Sequence, residues 1–355
     1  MAASSALPVV DLAPFFADGD EGGVARATEA VREACRSHGF FRAVNHGVPS
    51  ELMARALELS AAFFALPDEE KAKVRPAEGF PTPIPAGYGR QPAHSADKSE
   101  YVLVFNPKLG FNAYPDEPAG FRSCKLVCLY CVHFLLRNFN PKFGFNAYPD
   151  EPAGFRSCKL VDAVEECFAK LTDLGLLIQD ILNDCMGLPP GFLKNYNSDR
   201  NFDFMSAKRY FPATEGESNN GISQHEDGNC ITFILQDSVG GLEVLKDGHW
   251  VQAEPVDGSI IVNIGDVIQA LSNKKLKSAT HRVVRKAVHR HSFAFFFGIH
   301  GDKWIEPLPE FTDKVGEAPR YRGFLYKEYE QLRVRNKTHP PSRAEDVIDI
   351  THHAI

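Results

Sequence analysis

The sequence predicts a mainly β protein with flanking α-helices, a jelly-roll barrel braced by N-terminal and central helices. Three observations carry this. Between residues 201 and 302, short runs rich in β-branched and aromatic residues (Ile231–Leu235, Leu242–Leu245, Ser259–Asn263, His289–Phe297) are separated by turn residues such as Gly240-Gly241 and Lys246–His249. Many short strands with turn signals imply a sandwich or jelly roll, whose mouth is the expected place for a site. Upstream, Asp162 to Met186 carries leucine and isoleucine at helical spacing and stops at Gly187-Leu-Pro-Pro, which reads as one long core-facing helix. Nearer the N-terminus, Gly23 to His38 and Ser50 to Ala65 show the same period and read as scaffold.

In chain order, the first helix ends at Gly39, where a left-handed cap is expected, and a strand over Phe40 to Asn45 follows. Ser50 is the expected N-cap of the second helix, which Pro67 closes before a short turn at Asp68 to Lys73. Arg75 to Asp97, rich in Pro and Gly, reads as a long loop able to close over the barrel mouth, with Tyr88 as a substrate contact or an ordinary loop aromatic. A strand at Glu100 to Phe105 then enters the most unusual stretch. Phe105–Val127 recurs as Phe139–Val161, 34 positions later (139 minus 105), with Leu109 alone changed, to Phe143. Two copies cannot stack into a solenoid. A near-identical pair points to a recent tandem duplication or a mis-assembled gene, with one copy displaced as a surface excursion. After the long helix, Phe202 to Phe211 opens the barrel strands, Tyr321 to Lys337 forms a final helix, and an irregular tail runs from His339 to Ile355, with His352 and His353 at its surface.

The bulk properties exclude several classes. With 355 residues, 44% hydrophobic and 24% charged, the chain can bury a large core. A formal charge of −7 and a pI near 6.0 argue against nucleic acid. The longest apolar run, Leu126–Leu136, is too short to span a bilayer, and no signal peptide precedes the first strand, so a cytoplasmic monomer is expected. The eight cysteines are expected to be reduced thiols. Cys124, Cys128, Cys131 and His133 lack a second ligand pair at zinc-finger separation, and Asn336-Lys-Thr338 is a sequon without consequence in the cytosol.

The chemistry concentrates between Gln224 and Phe297. His225 and Asp227 differ by two, so on a strand end they share a face while Glu226 points away. His281 follows 54 positions after Asp227 (281 minus 227), enough for intervening strands to return a third ligand. Two histidines and a carboxylate are the ligand set of a non-haem iron(II) centre that leaves positions open. Neutral imidazole is needed, so acidification should weaken iron binding. Arg290 and Ser292 also share a face and can hold a carboxylate. Ala294 and Phe296 share that face, and Phe296 is either a pocket lining or core packing.

His225-x-Asp227, His281 and Arg290-x-Ser292, with Asn263-Ile-Gly-Asp266 and Ser278–Arg282, resemble the plant and microbial 2-oxoglutarate and iron(II)-dependent dioxygenases of the isopenicillin N synthase-like group. Leu7–Leu12 and Gly39–Gly47 are similar to the non-catalytic N-terminal segment of those enzymes. The resemblance implies a double-stranded β-helix, iron(II) on His225, Asp227 and His281, and 2-oxoglutarate held by Arg290 and Ser292, with Tyr210 assisting. The asparagine common before that tyrosine is replaced by Arg209. It also implies O2 as second substrate, ascorbate as reductant, and hydroxylation or desaturation of a small aromatic or terpenoid metabolite or hormone of plant specialised metabolism. Five segments are expected: 1–104 non-catalytic, 105–161 duplicated, 162–200 the long helix and its connection, 201–302 the catalytic barrel, and 303–355 the C-terminal helix and tail. The alternatives are an oxidase of the same fold that does not use 2-oxoglutarate, a silent binding protein whose pocket the duplication spoils, and a barrel that stores or senses metal.

Overall fold

The computed structural model describes residues 6–75, 86–109, 163–338 and 347–355. Fourteen strands and seven helices are used below. The strands are β1 Val9–Asp11, β2 Phe40–Val44, β3 Gly87–Arg90, β4 Ser99–Phe105, β5 Phe204–Tyr210, β6 Asn220–His225, β7 Ile231–Gln236, β8 Leu242–Lys246, β9 His249–Gln252, β10 Ile260–Ile264, β11 His281–Val284, β12 Arg290–Phe297, β13 Trp304–Ile305 and β14 Phe324–Leu325. The helices are α1 Glu21–Ser37, α2 Ser50–Phe64, α3 Asp68–Ala72, α4 Ala163–Cys185, α5 Phe192–Tyr196, α6 Asp266–Leu271 and α7 Tyr326–Thr338.

Two sheets form the barrel. The larger runs β1-β2-β10-β7-β12-β5-β4-β3, antiparallel except for β1 with β2; the smaller runs β6-β11-β8-β9. Strand β12 lies near the middle of the larger sheet, and its alternation decides what each face does. Phe293, Phe295 and Phe297 point outward into the main core with α1, α2 and α4. Phe168 of α4 meets Phe295 edge-on at 5.0 Å, and a Cβ at Gly175 would stand 2.2 Å from the Phe297 ring, so glycine lets the helix lie close on the sheet. Arg290, Ser292, Ala294 and Phe296 therefore face the barrel interior, as the period-two reading requires.

Helix α4 stops where expected: Gly187 takes φ +64 and Leu188 N donates to Asn183 O at 3.1 Å. Gly39, φ +70, likewise ends the first helical segment, its N–H donating to Ala34 O. Other boundaries differ from the reading of the sequence. Ser50 is the first residue of α2, not its cap: Pro49 holds the N-cap position and no side chain caps the helix. The final helix begins at Tyr326, because Phe324–Leu325 pairs with Trp304–Ile305 as a strand. Within Arg75 to Asp97, Gly87–Arg90 pairs with β4, so Tyr88 is not a loop residue. It is buried, and its hydroxyl donates to Glu100 at 2.7 Å. His353 is packed rather than free, stacked on Phe324 at 4.2 Å.

The duplicated stretch beyond Leu109, its cysteines and the start of the tail lie outside the described residues. Among the described residues Cys35, Cys167, Cys185 and Cys230 are free thiols, and no helix is long and apolar enough to cross a membrane.

Candidate metal centre

Strand β6 ends at His225, and β11 begins at His281 directly opposite it, so the antiparallel register alone sets the two imidazoles side by side with ring centroids 4.3 Å apart. The turn after β6 folds Asp227 back between them. His225 Nε2 lies 3.6 Å and His281 Nε2 3.8 Å from Asp227 Oδ1, and the three ligand atoms lie within 4.8 Å of one another.

The other atom of each side chain is already committed. His225 Nδ1 pairs with Ser223 O at 2.8 Å and His281 Nδ1 with Ala279 O at 3.1 Å, which fixes the tautomers with the proton on Nδ1 and Nε2 turned toward Asp227. Asp227 Oδ2 accepts from Thr232 Oγ1 at 2.6 Å and Asn263 Nδ2 at 2.9 Å, leaving Oδ1 turned to the histidines. Burial raises the Asp227 carboxyl's pKa, but His281, His225, Thr232 and Asn263 together outweigh it, and the net shift is downward. This donor set fits a divalent ion bound by one face, which supplies the charge that would otherwise have to come from protonated histidine.

The loop carrying Asp227 is held from behind. Asp227 O accepts from Asp266 N at 2.8 Å, and Gly265 packs so closely that a Cβ would lie 2.1 Å from Asn229 O. Helix α7 adds two ties: Tyr329 donates to Asp266 Oδ2 at 2.6 Å, and Arg333 donates to Glu226 O. Burial pushes the Asp266 carboxyl up to about 6 against the pull of Arg333 and Tyr329. Glu226 points away from the three ligands, as alternation predicts, and accepts from Thr280 Oγ1, which links the two ligand-bearing segments.

A second group lies on β12 and β5, whose register pairs Arg290 with Tyr210. Arg290, 1% exposed, donates to Ser292 Oγ at 3.2 Å and Gln236 Oε1 at 2.9 Å, and its guanidinium lies 4.7 Å from the Tyr210 ring centre. Ser292 Oγ reaches Tyr210 OH at 3.4 Å. Arg290 Nε is buried with no partner among the described residues. A buried guanidinium with no carboxylate hydrogen-bonded to it among the described residues, and with an orphaned N–H, is suited to an anionic ligand.

The structure thus brings His225, Asp227 and His281 together in one group and Arg290, Ser292 and Tyr210 in another. Sequence reasoning missed Thr232 and Gln236. Thr232 and Gln236 lie on β7, where a polar residue inside an apolar strand was the available signal. Asn263 and Asp266 were noticed as a pattern, but their roles needed the contacts.

Comparison with known proteins adds two family models. Residues 201–299 match the 2OG-Fe(II) oxygenase superfamily, and residues 7–122 match the N-terminal region of the non-haem dioxygenases in morphine synthesis. The chain is 33% identical to gibberellin 20 oxidase 2 of Oryza sativa over 87% of its own length and 71% of that protein. It is 30% identical to flavanone 3-dioxygenase 2 of Oryza sativa, over 91% of this chain and 82% of the relative. The crystal structure of a dioxygenase for auxin oxidation in rice superposes with a TM-score of 0.69 at 26% identity, covering 98% of this chain and 100% of the other.

Proposed function

Since the chain belongs to the 2-oxoglutarate and iron(II)-dependent oxygenase superfamily, we propose that His225, Asp227 and His281 hold its iron, that Arg290, Ser292 and Tyr210 hold the distal carboxylate of 2-oxoglutarate, and that the reaction hydroxylates or desaturates a small aromatic or terpenoid metabolite. One observation carries the reading: Asp227 Oδ1 and two histidine Nε2 atoms converge while every other polar atom of those side chains is engaged. When bound, iron(II) supplies O2 activation coupled to decarboxylation of 2-oxoglutarate to succinate and CO2.

The protein's own part is binding and orientation. Thr232 and Asn263 keep Asp227 from turning its second oxygen to the metal, which preserves open positions. Arg290 fixes the cosubstrate through a charge-assisted contact at a buried site, and Gln236 holds that guanidinium in place. On the same interior face Phe204 stacks on Phe296 at 4.5 Å and Phe105 lies 5.6 Å from Phe204, an apolar wall suited to a flat or polycyclic skeleton. Such a wall also excludes water near the reacting carbon. A hormone or flavonoid-like skeleton fits it, as does a terpenoid.

The test is succinate formation by anaerobically prepared protein given iron(II), ascorbate, O2, 2-oxoglutarate and a panel of aromatic and terpenoid acids, with Asp227→Ala as control. Succinate that depends on Asp227 is expected. Wild-type protein that binds neither iron(II) nor 2-oxoglutarate would sink the reading.

A further inference from the structure

The interior face of the larger sheet carries a second cation with no assigned task. We propose that Lys208 is a specificity-determining residue that receives a carboxylate of the oxidised substrate, so that the enzyme selects acids over their neutral analogues; this rests on the oxygenase reading above.

The placement follows from register. Lys208 pairs with Ser292 of β12 on one side and with Tyr101 of β4 on the other, Ser292 pairs with Gln236 of β7, and Tyr101 pairs with Gly89 of β3. Residues directly opposite in a ladder share a face, so Gly89, Tyr101, Lys208, Ser292 and Gln236 form one row across the barrel interior. Gln236 and Ser292 are committed to Arg290 and Tyr210. The Tyr101 ring lies across Gly89, where a Cβ would stand 2.5 Å from it, so the ring fills the space above β3 and can do so only because residue 89 is glycine.

Lys208 alone in the row carries a charge, and among the described residues it makes no hydrogen bond or ion pair. The two carboxylates whose charges reach it are engaged elsewhere. Asp97 Oδ1 accepts from Ser223 N at 2.7 Å and Ser223 Oγ at 2.5 Å, while Asp227 is held by Thr232 and Asn263 and faces the metal-binding histidines. Burial lowers the pKa of the Lys208 ammonium, Asp227 and Asp97 oppose that fall, and the nearby Arg290 charge adds to it. A partly buried ammonium left without a partner is costly unless a ligand pairs with it.

The ligand's source follows from position. Arg290 and Tyr210, paired with each other in the next row, already form one carboxylate clamp together with Ser292. Lys208 stands one row away, flanked by Tyr101 and two pairs from Phe204, on the side of the barrel where the aromatic wall lies. A substrate whose skeleton stacks on Phe204 and Phe296 brings an acid group to Lys208.

The experiment measures binding, not turnover. Wild-type, Lys208→Met and Lys208→Arg proteins are loaded anaerobically with iron(II) and 2-oxoglutarate and titrated calorimetrically with matched pairs: trans-cinnamate and its methyl ester, indole-3-acetate and its amide, and kaurenoate and its methyl ester. Wild-type protein is expected to bind at least one acid more tightly than its neutral partner. In Lys208→Met that preference should fall about tenfold to a hundredfold, the range for a hydrogen-bonded charge. Lys208→Arg should keep it, and the Kd of 2-oxoglutarate should stay within about threefold, which also shows that the variants fold. The proposal is overturned if wild-type prefers no acid of the three pairs, or if Lys208→Met retains the preference. It is equally overturned if the methionine variant instead loses 2-oxoglutarate, which would assign Lys208 to the cosubstrate. Failure of the oxygenase reading would look different: wild-type protein would bind no 2-oxoglutarate in the presence of iron(II).

Discussion

Replacing Thr232 with valine removes one hydroxyl and keeps the side chain's shape, so it isolates a single hydrogen bond behind Asp227, the proposed metal ligand. Thr232 Oγ1 donates to Asp227 Oδ2 at 2.6 Å, and the two residues are 1% and 7% exposed, so water cannot replace the lost donor. A buried hydrogen bond to a charged group contributes about 1.5–3 kcal/mol. At about 1.4 kcal/mol per factor of ten this corresponds to roughly tenfold to hundredfold in iron(II) affinity. Asn263 still donates to the same oxygen at 2.9 Å, so the single variant belongs at the lower end and a Thr232→Val, Asn263→Leu double variant at the upper end. The assay is anaerobic competition for iron(II) against a chromophoric chelator, with the melting temperature of metal-free protein recorded alongside. An unchanged iron affinity in both variants, in protein that melts like wild-type, would refute the claim that these two residues set the carboxylate's orientation.

Three other outcomes are expected. Arg290→Met should weaken 2-oxoglutarate binding by about a hundredfold, because truncating a buried charge that pairs with a ligand costs several kcal/mol, while iron(II) binding is unchanged; calorimetry separates the two. Gly265→Ala should destabilise the fold by about 3 kcal/mol and loosen the metal loop, since the added Cβ would meet Asn229 O at 2.1 Å; denaturant melts with and without iron(II) report it. The pKa of His353 is pushed down to about 4 by burial and by the charges of His352 and Arg322, so the unfolded tail, titrating near 6.5, binds more protons between those values. Tail docking is therefore complete above about pH 6.5 and lost as pH falls toward 4, and hydrogen exchange in residues 347–355 should rise over that window in wild-type but not in His353→Phe.

Residues 225 with 227 and 290 with 292 could be set on shared faces from the sequence because each pair obeys a period the backbone imposes; residue 281 was singled out only by its distance along the chain and by the family resemblance. Side chains two apart on a strand share a face whatever surrounds them, so His225 with Asp227 and Arg290 with Ser292 needed no coordinates. The helix ends at Gly39 and Gly187 were legible for a similar local reason, since a left-handed residue is costly for any side chain with a Cβ. Ser50 misled because a good capping side chain one residue inside the helix looks the same in sequence as one at its cap.

Tertiary structure alone decided the rest. That His281 pairs with His225, that Thr232 and Asn263 converge on Asp227, and that α7 reaches back to Asp266 and Glu226 depends on strand order and register, which couple residues tens of positions apart. The same holds for Lys208, an ordinary strand lysine until the ladder sets it opposite Ser292. A sequence period reports which residues share a face of one element; which faces meet is settled only when the sheets close around a common interior.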